Sequence, residues 1–274
     1  MGPDGPPVTV RAATLAGGEK NQDRYAYGDG WAFVLDGASS FATTRMEDDG
    51  GWYAERLKNA LVHELTGTPD DATVKIVARA IEEASSDHDD PDTCPTSTIA
   101  LTRWSDERVE AYVLGDSPVA LIGHGVETVL TDTRLADAAP SLREQYRSRL
   151  AEGHGFDERH QELLQQLQAQ QRMVRNRPDG YWIAGAAPDA AHYAYRTTAQ
   201  RDSLAALVVA SDGAAASIRY QVFPTWRDLA MAGPTQAVHA AHMIEEADPA
   251  ATEWPRSKQH DDKTAILIDL RPLS

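Results

Sequence analysis

The chain has 274 residues, 42% of them hydrophobic and 25% charged, a balance that supports a folded core and excludes a disordered polymer. Forty-two Asp and Glu face 26 Lys and Arg, a formal net charge of −16, so the mean field repels phosphate backbones and anionic lipid; neither nucleic-acid nor membrane binding is expected. The single cysteine, Cys94, excludes an intrachain disulfide framework and a cysteine-rich zinc site.

In chain order, Met1 to Pro7 lacks a basic region followed by an apolar run, and no stretch reaches the roughly eighteen apolar residues of a membrane span. No leader and no span are expected, and a cytoplasmic protein is the default. Val8 to Ala13 alternates weakly. Trp31 to Leu35 is a compact apolar run that stops at Asp36-Gly37. Two helical stripes follow, Tyr53, Leu57, Leu61 and Leu65, then Val74, Val77, Ala78 and Ile81, before the acidic stretch Ser85 to Asp92. Ser97 to Leu101 and Val109 to Leu114 flank a turn around Ser105-Asp106-Glu107 and predict a hairpin. Val119 to Ile122 follows Gly115-Asp116-Ser117-Pro118. The Gln- and Leu-rich segment Gln161 to Met173 predicts an exposed helix packed along Leu163, Leu164 and Leu167. Leu204 to Ala210 is strongly apolar and ends in Ser211-Asp212-Gly213. Ala237 to Glu246 predicts a last helix and Thr264 to Leu270 a last strand.

Strands at both ends with helix pairs between them break the regular alternation of a doubly wound fold, and no glycine-rich nucleotide fingerprint or Walker sequence is present. No linker or repeat divides residues 1–274, so one α+β domain of high contact order is expected, its closing strand returning beside the early ones.

An aspartate stands near strand end after strand end: Asp23, Asp36, Asp116, Asp212 and the pair Asp261-Asp262. Each alone reads as a turn former. Strand ends do, however, carry side chains rigidly to a sheet rim, where carboxylates held together repel unless protonated or bridged by cations. An oxygen-only donor set favours Mg²⁺ or Mn²⁺. Composition and spacing lead as far as a carboxylate-bound metal enzyme.

Read in order, Asn21-Gln22-Asp23, Val34-Leu35-Asp36-Gly37, Thr96-Ser97-Thr98, Gly115-Asp116-Ser117-Pro118, Val209-Ala210-Ser211-Asp212-Gly213 and Asp261-Asp262-Lys263-Thr264 resemble the ordered motifs of the metal-dependent protein phosphatases of PP2C type, in a divergent, bacterial form. That resemblance implies a four-layer α-β-β-α sandwich around two central, mostly antiparallel sheets. It implies two Mn²⁺ or Mg²⁺ ions held by Asp23, Asp36, the Gly37 carbonyl, Asp212 and Asp261, with Asp36 shared between them and Asp116 at the position of a third, weaker ion. Asp23, Asp36, Asp212 and Asp261 are thereby the candidate catalytic set, acting through an activated water with no protein nucleophile. Thr98 and Ser117 are expected to be structural, Cys94 a buried or merely unremarkable thiol and Trp182 a core residue. Residues 135–194 resemble the variable flap beside the active site, and the tract Arg172 to Arg177 within it reads as a solvated helix end or as a collector of anionic substrate.

Several positions depart from the family pattern. Gln22 replaces a glutamate, Gly18 the arginine that binds substrate phosphate, Ala38 a histidine, Ala216 an aspartate and Asp262 an asparagine. Lys20 or Arg24 are the candidate stand-ins for the arginine, and His260 a candidate proton carrier or hydrogen-bond donor at the centre. The expected function is phosphoric monoester hydrolysis, on phosphoserine or phosphothreonine protein or on a small phosphorylated metabolite. The alternatives are a pseudophosphatase that binds without catalysis, or a divergent metal-dependent enzyme acting on another small-molecule bond.

Overall fold

The structure, a computed structural model, describes residues 8–38, 49–88 and 90–271. The opening heptapeptide on which the expectation of no leader rests therefore lies outside the described residues, as does Asp89 of the acidic stretch. Strands β1 (Thr9–Leu15), β2 (Asp23–Gly28) and β3 (Trp31–Ala38) lead into helices α1 (Gly50–Gly67) and α2 (Thr73–Ala84). Then come β4 (Thr96–Ser97), β5 (Ile99–Trp104), β6 (Arg108–Leu114), β7 (Val119–Gly123) and β8 (Glu127–Leu130). Helices α3 (Arg134–Asp137), α4 (Pro140–Ala151) and α5 (Glu158–Val174) precede β9 (Tyr195–Gln200) and β10 (Leu204–Ala210). Helices α6 (Asp212–Arg219), α7 (Trp226–Ala232) and α8 (Pro234–Ala247) and strand β11 (Lys263–Asp269) close the order.

Two antiparallel sheets result, one ordered β1-β11-β10-β7-β8 and the other β2-β3-β5-β6-β9, with β4 paired to the end of β3. The last strand does return beside the first, Thr9 opposite Asp269. The β5–β6 hairpin forms as the alternation predicts.

The layering follows from the two-residue period of a strand. In β3, Phe33 and Leu35 pack with Tyr53, Leu57 and Leu61 of α1 and with Ile76, Val77 and Ile81 of α2. The alternate residues Ala32 and Val34 face the other way, meeting Val119, Leu207, Val209, Ile266 and Ile268 of the opposite sheet. In β10, Ala206, Val208 and Ala210 turn outward to Leu229 of α7 and Ala237 and Val238 of α8. Strands buried on both faces need apolar residues at every position, which is why Leu204 to Ala210 reads as an unbroken run. The result is an α-β-β-α sandwich of helices, sheet, sheet and helices.

Helix α1 starts where Asp49 accepts a hydrogen bond from Trp52 N at 2.9 Å. Its first residue lies hard against β3: a Cβ on Gly37 would come within 2.4 Å of the Gly50 carbonyl oxygen. Helix α5 is capped in the same way, Asp157 accepting from His160 N at 2.8 Å. With α4 it builds a small core of its own from Leu142, Tyr146, Leu150, Leu163 and Leu167. No helix among the described residues is long and apolar enough to cross a membrane.

Candidate active site

The period that sends Val34 into the space between the sheets sends Asp36 to the same face, at the open end of that space. Asp23 is directly opposite it in the β2–β3 register, so the two carboxylates share one face. Such pairs stand with Cβ atoms about 4.5–5.5 Å apart, and like charges there repel. From the second sheet, Asp212 arrives as the first residue of α6 and Asp261 in the loop before β11. Ser211 locks these two segments together: its amide donates to the Thr264 carbonyl at 2.9 Å, and its hydroxyl accepts from Thr264 N at 2.9 Å. Gly213 permits the approach, since a Cβ there would lie 2.1 Å from the Asp262 carbonyl oxygen.

Asp116 follows Gly115, whose φ of +90° suits glycine, in the turn between β6 and β7. The turn is tied to β3 through a hydroxyl pair. Thr98 Oγ1 and Ser117 Oγ are 2.6 Å apart, and the Asp36 amide donates to Thr98 Oγ1 at 3.1 Å. Thr98 and Ser117 thus brace the strand ends.

Five aspartates distant in sequence therefore surround one mouth of the inter-sheet core. Burial raises the Asp23 carboxyl to about 8, with Asp261 and Asp262 adding to the shift and the Ser211 and Thr264 hydroxyls offsetting part of it. Both Asp23 carboxylate oxygens are buried, and among the described residues neither has a partner in good hydrogen-bond geometry, the Ser211 and Thr264 hydroxyls standing nearby. Burial also pushes Asp36 well above the usual carboxylate range, reinforced by Asp212, Asp23 and Asp261. Asp212 rises through burial and Asp261, while Asp36 is close enough to share a hydrogen bond with it. Asp116 rises to about 7 through burial and Asp212. Orphaned buried oxygens and an all-oxygen donor set of this charge fit hard divalent cations.

The remaining expected residues divide into several roles. Asp262 is buried and spent on the backbone, accepting from Gly17 N and Gln22 N at 2.8 Å each. Asp261, by contrast, takes Lys258 Nζ on Oδ1 at 2.8 Å and faces the other aspartates. Gln22 holds its place through that amide. Lys20 is engaged with Asp49 at 3.1 Å, and Arg24 with Glu55 at 2.6 Å and with the Asn21 and Asp23 carbonyls. Arg24 is thus engaged on the flank of α1. His260 faces Glu245 of α8, with Nδ1 at 3.4 Å from Oε2. Ala216 is buried against Tyr220 and Ala241 between α6 and α8, so that position presents nothing to the mouth.

Two cations escaped the sequence reading. Burial works against the Lys258 ammonium, but Asp261, Asp36 and Asp212 together outweigh it and raise its pKa. Arg143 of α4 counters part of the rise at Asp116. Lys258 was in principle legible, three residues before Asp261 in the same loop; Arg143 was not, because only the packing of α4 brings it there. Beside Asp36 and Gly37, Ala38 and Thr96 form one wall of a cavity of about 160 Å³ whose other wall is Gln165, Gln168 and Arg172 of α5, with Arg175 and Tyr181. Trp182 is buried and stacks on Tyr193 with ring centroids 3.5 Å apart.

No protein-family model and no curated protein matches the sequence. The fold is that of the PPM or PP2C-type serine/threonine phosphatases. The Mycobacterium smegmatis phosphatase MsPP, solved with cacodylate, superposes with a TM-score of 0.54 at 17% identity, covering 95% of this chain and 97% of that one. The catalytic domain of the serine/threonine phosphatase PstP, solved with two manganese ions, gives 0.55 at 17% identity over 96% and 97% of the two chains. PppA of Pseudomonas aeruginosa, a regulatory component of the type VI secretion system, gives 0.56 at 13% identity over 96% and 97%.

Proposed function

We propose that the chain is a metal-dependent phosphoric monoester hydrolase, residues 1–274 acting as one catalytic domain and residues 135–194 as a flap beside its mouth. The observation that carries this reading is the convergence of Asp23, Asp36, Asp116, Asp212 and Asp261 on one rim, with the Asp23 oxygens buried and, among the described residues, without well-formed hydrogen bonds. Asp23, Asp36, the Gly37 carbonyl, Asp212 and Asp261 would hold two Mn²⁺ or Mg²⁺ ions and Asp116 a weaker third, and ions so bound acidify water and neutralise phosphate oxygens. The fold shared with MsPP and with manganese-bound PstP supports the same reading.

The chain's own residues shape the rest. The Ser211–Thr264 and Thr98–Ser117 hydrogen bonds hold the carboxylates in place before substrate arrives, so little reorganisation is needed. Asp36 and Asp212 sit close enough to hold one proton between them when no cation is present. Lys258, charged at neutral pH, stands where it can exchange Asp261 for a phosphate oxygen. The cavity under α5, with Arg172 on its wall, receives the group that carries the phosphate. The substrates proposed are phosphoserine or phosphothreonine proteins, or a small phosphorylated metabolite.

The test is hydrolysis of a generic aryl phosphate. Activity is expected to vanish on chelation, return with Mn²⁺ or Mg²⁺, and fall at least about a thousandfold in Asp36→Ala and Asp212→Ala. Folded protein with no turnover in any divalent metal overturns the hydrolase reading in favour of a binding module, which the departures at Gly18, Gln22 and Ala38 would then explain. A panel of phosphopeptides against sugar and nucleotide phosphates separates the two substrate classes.

A further inference from the structure

Behind the aspartate mouth lies a second cluster of different chemistry. His242 and Glu245 stand three residues apart on α8 and so share a face, and His260 approaches them from the loop before β11. One donor atom from each lies within 4.8 Å of the other two, and among the described residues no other trio of His, Cys, Asp or Glu comes so close. The aspartates of the mouth are spread more widely.

Nδ1 of His242 and Nδ1 of His260 are both buried, and neither has a hydrogen-bond partner among the described residues. Orphaned ring nitrogens are costly unless something takes their lone pairs or protons. His260 Nδ1 lies 3.4 Å from Glu245 Oε2, and the two imidazoles lie face to face, centroids 4.6 Å apart and planes 29° from parallel. Glu245 is fixed in turn: Lys263 Nζ donates to Oε2 at 2.6 Å and the Tyr220 hydroxyl to Oε1 at 3.3 Å. Each carboxylate oxygen keeps a second lone pair, and donors of this kind behind a ligand are what orient it toward a metal.

Two imidazole nitrogens and one carboxylate oxygen suit a borderline divalent ion such as zinc, with a fourth position open. The oxygen-only mouth suits harder ions. Zinc about 2.0–2.1 Å from each donor needs the donors about 3.4 Å apart, a separation that His260 Nδ1 and Glu245 Oε2 already have, and the remaining pairs, within 4.8 Å, must draw in by at most about 1.4 Å. His260 can supply that movement, being in a loop rather than a helix. Glu246 lies near enough to His242 to offset part of the charge that the ion adds beside Lys263.

We propose that His242, Glu245 and His260 form a zinc-class site, separate from the aspartate centre, whose occupation pins the loop that carries Asp261. This inference does not depend on the phosphatase reading. The test uses the full chain with the mouth weakened as a metal site, Asp36→Asn with Asp212→Asn, titrated with Zn²⁺ against a chromophoric chelator and with Co²⁺ followed by visible absorption. About one ion per chain is expected, with the strong visible bands of a low-coordinate, nitrogen-ligated Co²⁺ site, and His242→Gln or His260→Gln should each weaken binding about tenfold or more. Circular dichroism of the metal-free variants confirms that they fold, and His242→Gln changes a partly exposed helix position, so binding and folding separate. Stoichiometric binding that survives both glutamine substitutions, or no saturable binding, overturns the site. These readouts measure metal binding and not aryl phosphate hydrolysis, so failure of this site and failure of the phosphatase reading are told apart.

Discussion

Two neighbouring carboxylates with one chemistry take opposite roles because of what lies beside them. Asp262 receives two backbone N–H groups and clamps the β1–β2 loop to the loop before β11. Asp261 is left to face the aspartate mouth, where Lys258 meets it. The same local view explains what an arginine would do at position 18. Gly18 is exposed, its φ is not positive, and a Cβ there would meet no atom of the described residues within 4 Å. Its neighbour Gly17 lies against the backbone of Asp261. Gly18→Arg should therefore fold normally and place a forked cation beside the mouth. The expected result is a fall in KM for an aryl phosphate of about tenfold, the worth of one charge-assisted hydrogen bond, with little change in kcat. Steady-state kinetics of the variant check it; an unchanged KM means that the phosphate docks elsewhere. Cys94 is fully buried and its thiol is pushed up to about 11 by that burial, so alkylating reagents should label it only in denaturant.

Among the elements, helix α6 shows how geometry at a seam reaches the site. Asp212 is carried by the first turn of α6, and Gly213 seats that turn on the Asp261-Asp262 backbone. In Gly213→Ala the new methyl group meets backbone oxygen at 2.1 Å, which cannot rotate aside, so the helix and the loop must part. The expectation is a stability loss of about 1–3 kcal/mol and at least tenfold weaker metal-dependent activity. Gly67→Ala, where a Cβ would meet nothing within 4 Å, is the control and should leave activity unchanged. Denaturant melts and the aryl phosphate assay read both effects. The elements also differ in how openly they are written. Helices α1 and α2 carry apolar stripes because one face of each is buried, and β10 is an unbroken apolar run because both of its faces are. Strands β8 and β9 escape pattern reading. Both are edge strands with partly exposed residues on either face, so neither alternation nor an apolar run marks them.

For the molecule as a whole, the aspartate mouth sets a relation between pH, metal and stability. The folded-state carboxyls of Asp23 and Asp116 lie at about 8 and 7, against 3.8 for an ordinary aspartate, with burial the main cause. Between those limits the metal-free folded chain holds protons that the unfolded chain has released. Its contribution to stability is complete below pH 4 and is lost as pH rises toward 8. Carboxyls held low, such as Asp157, bonded by the His160 amide, and Asp248, bonded by the Trp254 amide, act only below that window. With chelator present, Tm should therefore fall from pH 5 to pH 8, and saturating Mn²⁺ should raise it more at pH 8 than at pH 5, since cations replace the protons. A metal increment in Tm that is the same at both pH values would show that these carboxylates do not hold the ion.

Local order decided much of what the chain shows by itself. Apolar runs and stripes named most of the core strands and helices, and six short motifs in order pointed to a two-sheet sandwich with aspartates near its strand ends. Those signals are readable because period and turn chemistry act between residues close in sequence. Tertiary packing alone decided which aspartates work together and which are used up. It turned Arg24 toward Glu55, buried Ala216 between two helices, assigned Asp262 to two amides, and brought Lys258, Arg143 and the His242–Glu245–His260 trio to their places. Charge and donor geometry act through space, over distances that sequence separation does not encode, so those assignments exist only once the two sheets have closed on each other.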